Sequence, residues 1–183
     1  FFPLQICVII KKSIMEVLIY MFRTAIVCMS DKGAKGERED LSTSVIEKIL
    51  IENNYEVVKK ILIPDEFQLI KETLKNICDN NEADLILTTG GTGFSKRDVT
   101  PEATLEIVDK TVPGIPEAIR AYSMTITKRA MLSRAAAGIR KNTLIINMPG
   151  SPKAVEESLS FIIDSLTHGL EILIGSSFEC ARK

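Results

Sequence analysis

The chain is 183 residues long, 45% hydrophobic and 26% charged, with 23 Lys plus Arg against 24 Asp plus Glu. A chain of that length buries about 70% of its unfolded surface as one domain, so folding requires no covalent or metal staple. The charge balance argues against a general nucleic-acid binder, the single histidine excludes a multi-histidine zinc centre, and four scattered cysteines without a CxxC pair argue against a disulfide framework.

The opening FFPLQICVII gives ten mostly apolar residues before Lys11 and Lys12, against the ~20 that cross a bilayer. A secretory signal would place its basic residues ahead of the apolar run. Residues 1–20 are therefore expected to be an extension outside the core fold. Residues 21–183 are expected to form one domain of a cytoplasmic protein with neither membrane nor nucleic acid as partner.

From Arg23 onward two periods alternate. Thr24–Ser30 (TAIVCMS) reads as a buried strand, followed by the polar loop SDKGAKGERED. LSTSVIEKILIENN carries Leu41, Val45 and Ile49 at helical spacing, stopped by Asn53 and Asn54. Tyr55–Asp65 is a second strand, and the next segment sets Phe67, Ile70, Leu74 and Ile77 on one helix face. DLILTTGGTG runs as a third strand into a glycine-rich turn. PEATLEIVD and PGIPEAIRAYSM each begin with a proline suited to a first helical turn. GIRKNTLIINMPG reads as two short strands turning at Lys141-Asn142. A last helix after Pro152 carries the stripe Val155, Leu159, Ile162, Leu166, Leu170 and Leu173, with a solvated His168 on its flank. Cys28 and Cys78 read as small buried hydrophobes. The alternation predicts a single α/β domain, a three-layer αβα fold with a mostly parallel sheet.

In such sheets ligands bind beyond the carboxyl ends of the strands. Unusual residues gather at those ends: Ser30-Asp31, Pro64-Asp65, Thr88–Gly93 continuing to Asp98, and Asn147–Lys153. The TTGGTG turn suits an anion, because glycines let backbone N–H groups approach it and threonines add donors. It is neither a Walker loop nor a dinucleotide fingerprint, since Ser95 and Lys96 stand where those motifs need glycine. Asp65 and Asp98 beside a phosphate cradle are what a magnesium-nucleotide site requires. The plainer alternative makes Asp65 a cap for the following helix and Asp98 a surface charge.

SDKGAKGERED, LIPDE, LILTTGGTGFSKRDVTPEAT, PGIPEAIR, MLSRAAAGIR and LIINMPGSPKAV, in this order, resemble the molybdenum-cofactor biosynthesis family of MoaB/Mog type. The resemblance covers about residues 23–183. It implies a homotrimer that binds molybdopterin and Mg-ATP and transfers AMP to the terminal phosphate of molybdopterin, releasing pyrophosphate, with hand-over to a molybdate-insertion enzyme. It further implies that Asp65 and Asp98 bind Mg²⁺ and catalyse. Ser30, Asp31, Thr89, Gly90, Gly91, Thr92, Gly93, Ser123, Ser133, Asn147, Pro149, Gly150 and Ser151 match ligand-contacting positions. Lys96, Arg97 and Lys153 are candidate supporting cations. The competing expectations are a non-catalytic molybdopterin-binding or scaffold protein of the same fold and, more distantly, a nucleotide hydrolase of competence-damage type.

Overall fold

The computed structural model describes residues 21–37 and 39–175. The expected extension, residues 1–20, lies outside them, as do Cys7 and Cys180. The strands are β1 (Arg23–Met29), β2 (Glu56–Ile63), β3 (Leu85–Thr89), β4 (Lys110–Thr111), β5 (Ala137–Arg140) and β6 (Thr143–Met148). The helices are α1 (Asp31–Ala34), α2 (Leu41–Glu52), α3 (Phe67–Asp79), α4 (Thr100–Ile107), α5 (Gly114–Ile126) and α6 (Pro152–Leu173), with a 3₁₀ turn at Lys128–Leu132. One six-stranded sheet has the order β2-β1-β3-β6-β5-β4. Its first four strands are mutually parallel, β5 runs antiparallel to both of its neighbours, and β4 beyond it runs in the direction of the first four.

Side chains alternate across a strand, so each row of the register faces one layer. Ala25, Ile86 and Ile145 are in register and pack with α3 and α4. The next row, Ile26, Leu87 and Ile146, packs with α2, α5 and α6. Both faces of the central strands are therefore buried, which is why their sequences are continuously apolar. Cys28 and Cys78 are buried thiols.

Several local expectations are corrected. The buried stripe of α2 is Ser42, Ile46, Ile49 and Leu50, whereas Leu41 is 53% exposed. The helix is rotated because Asp40 caps it, accepting from the Thr43 N–H, and because Ser42 Oγ donates to Gly150 O at 3.0 Å. Among the described residues β2 is an edge strand, and its exposure alternates because successive side chains point to opposite faces of the sheet. β4 is only two residues long and exists as an addition to β5, with no apolar run of its own. α1 forms inside the loop that reads as irregular, its first turn closed by the Gly33 N–H donating to Ser30 Oγ. Among the described residues no helix is long and apolar enough to cross a membrane.

Candidate functional site

Register places the carboxyl ends of β1, β2, β3 and β6 on one sheet edge, with Met29 opposite Ile63, Cys28 opposite Thr89, and Thr89 opposite Met148. The loops that follow them build the site. Gly90 and Gly91 adopt φ of +96° and +64°, the left-handed region that glycine enters without strain. A Cβ on Gly90 would stand 2.2 Å from Met29 O, and one on Gly91 would stand 2.3 Å from Thr100 Oγ1 and 3.1 Å from Asp65 Oδ1. A Cβ on Gly93 would stand 2.9 Å from Asp98 Oδ2. The turn can therefore pass between Asp65 on one side and Asp98 on the other only because Gly91 and Gly93 lack side chains.

The carboxylates around it are treated differently. Asp31 and Asp65 clasp each other through reciprocal bonds, Asp31 N–H to Asp65 Oδ2 at 3.0 Å and Asp65 N–H to Asp31 Oδ1 at 3.1 Å. The Arg97 guanidinium donates to both Asp31 oxygens, at 2.9 and 2.8 Å, and holds that carboxyl below its ordinary pKa. Asp65 is pushed the other way, first by burial and further by the charges of Asp31 and Asp98. Asp98 Oδ2 accepts from the Ser95 N–H at 2.8 Å. Neither Asp65 nor Asp98 has an ion-pair partner among the described residues. Thr100 Oγ1, beside Gly91, is buried without a hydrogen-bond partner. Asp65 does not cap α3; Glu66 occupies the N-cap position, without a side-chain bond.

A cleft of about 170 Å³ opens at this edge, bordered by four of the expected residues, Ser30, Thr89, Gly90 and Gly150. Asp40 and Ser42 also line it; the Asp-Leu-Ser-Thr start of α2 is a capping signal that could have located them. Asp98 borders a neighbouring open hollow with Arg134, and Asp31 borders another with Arg97. Thr92 is buried, and Ser133 lies next to the turn because the Arg134 N–H donates to Thr92 O at 3.0 Å. Pro149 O accepts from Thr89 Oγ1 at 2.6 Å, tying two of the loops together, and Ser151 is exposed at the head of α6. Ser123 sits on α5 and does not line the cleft.

Asn147 is corrected. It is fully buried, its Oδ1 accepts from Ala136 N–H, and its Nδ2 donates to Thr88 Oγ1 and Thr104 Oγ1. With its amide committed inside the protein, it ties β6 to β3 and α4 and offers a ligand no side-chain contact. A polar residue at a strand end reads as a ligand contact from sequence, because its buried partners lie 43 and 59 residues away.

The donor set fits a magnesium ion. Among the described residues no group of three or more His, Cys, Asp or Glu is arranged to hold a metal. Mg²⁺ asks for less, one or two carboxylates completed by water and phosphate. Asp65 and Asp98 supply hard oxygens, lack a cationic partner, and flank a turn suited to phosphate.

Comparison with known proteins finds relatives along most of this chain. Residues 25–168 match the family described as "Probable molybdopterin binding domain". A molybdopterin adenylyltransferase of Helicobacter pylori (strain J99 / ATCC 700824) is 38% identical over 165 residues, covering 86% of this chain and 91% of that protein. One of Escherichia coli (strain K12) is 38% identical over 155 residues, covering 81% and 79% respectively. The crystal structure of the molybdopterin biosynthesis enzyme MoaB from Thermus thermophilus superposes with a TM-score of 0.81 at 45% identity, covering 87% of this chain and all of that one.

Proposed function

The chain belongs to the molybdopterin-binding family of MoaB/Mog type, and from that premise we propose that it acts in molybdenum cofactor biosynthesis as a molybdopterin adenylyltransferase. The observation that carries this reading is the near full-length similarity to proteins of that name. The two carboxylates flanking the Gly90–Gly93 turn support it. The nucleotide donor is ATP. A terminal phosphate oxygen of molybdopterin attacks the α-phosphorus, the bond to the bridging α,β-oxygen breaks, and pyrophosphate leaves with that electron pair.

Such a transfer asks the protein for positioning and charge neutralisation more than for covalent work. The terminal phosphate of molybdopterin is already anionic near pH 7, so no histidine base is needed. Asp65 and Asp98 would hold Mg²⁺, which supplies neutralisation of the charge that develops on the phosphate oxygens. The backbone of Gly90–Gly93 cradles phosphate, while Ser30, Asp31, Thr89, Thr92, Ser133, Pro149, Gly150 and Ser151 shape the surrounding loops. Ser123 serves the pterin side. Arg97, held by Asp31 beside a neighbouring hollow, is a candidate supporting cation for the polyphosphate. The product then passes to a molybdate-insertion enzyme.

Half-exposed Met124, Ile126, Met131 and Leu132, with the Tyr122–Phe161 stack at 4.2 Å, present apolar surface along α5, the 3₁₀ turn and α6. That surface supports a homotrimer, which equilibrium sedimentation tests. The activity is tested by incubating the protein with molybdopterin and Mg-ATP. Release of one pyrophosphate per molybdopterin consumed is expected. Tight molybdopterin binding without pyrophosphate release contradicts catalysis and identifies a binding protein.

A further inference from the structure

Arg134 has no part in the proposed chemistry, yet its hydrogen bonds converge on the loop that carries Asp98. Its main-chain N–H donates to Thr92 O at 3.0 Å. Its Nε donates to Gly93 O at 2.7 Å and its Nη2 to Asp98 O at 2.5 Å, while Nη1 pairs with Glu102 at the first turn of α4. Gly93 and Asp98 are the two ends of the excursion Gly93–Asp98, which contains no helix or strand. Inside it, Asp98 N–H donates to Ser95 O at 3.0 Å and Ser95 N–H donates to Asp98 Oδ2 at 2.8 Å. The excursion is thus a small closed turn whose neck is bridged by one guanidinium.

We infer that Arg134 is a positioning residue, whose planar fork sets the distance between the phosphate-cradling glycine turn and the carboxylate of Asp98. The inference rests on the adenylyltransferase reading for its kinetic consequence and on the hydrogen bonds alone for its structural one. The fork is suited to the task because guanidinium nitrogens hold fixed relative directions, so two carbonyls bonded to it are held at a fixed separation. A lysine would keep the charge and lose the bridge. Glu102 anchors the fork from the far side, so that the loop is braced against α4 and not only against itself. Displacing a reacting group by about 1 Å is enough to cost on the order of 100-fold in rate.

The test uses Arg134→Ala and Arg134→Lys with two readouts, amide hydrogen exchange at Ser95 and Asp98, and kcat and KM for pyrophosphate release. Arg134→Ala is expected to speed exchange at both amides and to lower kcat about 100-fold with KM for ATP changed by less than about threefold. Added guanidinium, below denaturing concentration, is expected to restore part of that kcat. Arg134→Lys folds with its charge intact and is expected to lose at least tenfold in kcat with faster exchange. Wild-type exchange rates in both variants overturn the inference, as does wild-type kcat in Arg134→Lys. Should the wild-type protein release no pyrophosphate, the adenylyltransferase reading falls, and the exchange rates alone decide the role of Arg134.

Discussion

The two ends of the parallel sheet handle the same residue type in opposite ways. At the amino ends of the strands every prominent carboxylate is matched. Asp79 receives a bidentate fork from Arg140 at 2.9 and 2.9 Å and a further contact from Lys141 Nζ at 3.1 Å, and those bonds hold its pKa down at about 2. Asp84 is similarly paired with Arg23 at 2.7 Å. At the carboxyl ends, Asp65 is raised by burial and by like charges, and the nearest guanidinium is engaged by Asp31. One end is electrostatically satisfied and closes the fold. The other carries negative charge left for something that arrives from outside. Poor compensation beside the glycine turn sets Asp65 apart as a working carboxylate, whereas its neighbour Asp31 carries a guanidinium fork as Asp79 does.

The widest gap between the two ends should appear on neutralising single carboxylates. Asp65→Asn or Asp98→Asn is expected to lower turnover about 100- to 1000-fold with ligand binding largely retained, a loss typical of removing electrostatic stabilisation at a transition state. Asp65→Asn should at the same time leave the melting temperature unchanged or raise it, because the native state holds that charge at a cost. Equal loss of binding and rate would give Asp65 a structural role and erase the contrast.

Next in size is Gly91→Val. The new side chain would be strained at a φ of +64° and would meet Thr100 Oγ1 at 2.3 Å, so both anion binding and melting temperature should fall, read by calorimetry and thermal denaturation. Arg140→Ala is the complementary change at the other end. It strips the fork from Asp79 and the bond to Ile107 O at 2.8 Å, so the melting temperature should drop while turnover per folded molecule stays within about twofold. A large fall in turnover there would mean that the two ends are coupled.

The smallest effect is the pH dependence, and its sign differs between the ends. The folded pKa of Asp79 lies below its unfolded value of 3.8, so its contribution is present above that value and is lost as pH falls toward about 2. The folded pKa of Asp65 lies above 3.8, so the native state binds the proton more readily and loses stability as pH rises through that raised value. Thermal melts of Asp79→Asn and Asp65→Asn across the acid range should therefore depart from wild type in opposite directions. Turnover should fall on acidification once Asp65 takes up a proton.

Much of this architecture is legible in the chain because it is written in local period. Continuous apolar runs announce strands buried on both faces, and the last helix keeps Val155, Leu159, Ile162, Leu166 and Leu170 buried as its stripe implies. The glycine turn is legible because only glycine tolerates its backbone. What escapes sequence reading depends on partners far away. β4 has no signal of its own, since β5 creates it. The rotation of α2 is set by Asp40 and by a bond from Ser42 to Gly150, 108 residues distant. Asn147 and Arg134 look alike as polar residues near loops, yet one is sealed in the core and the other bridges a loop neck, a difference made wholly by tertiary contacts.

The direct test of a joint Asp65–Asp98 site is a double-mutant cycle on kcat for pyrophosphate release. If both carboxylates serve one bound cation, Asp65→Asn/Asp98→Asn should be no slower than the slower single variant, within about threefold, because the first loss already removes what the second contributes. Losses that multiply across the cycle would mean that the two act independently, and the shared site on the two sides of the glycine turn would have to be given up.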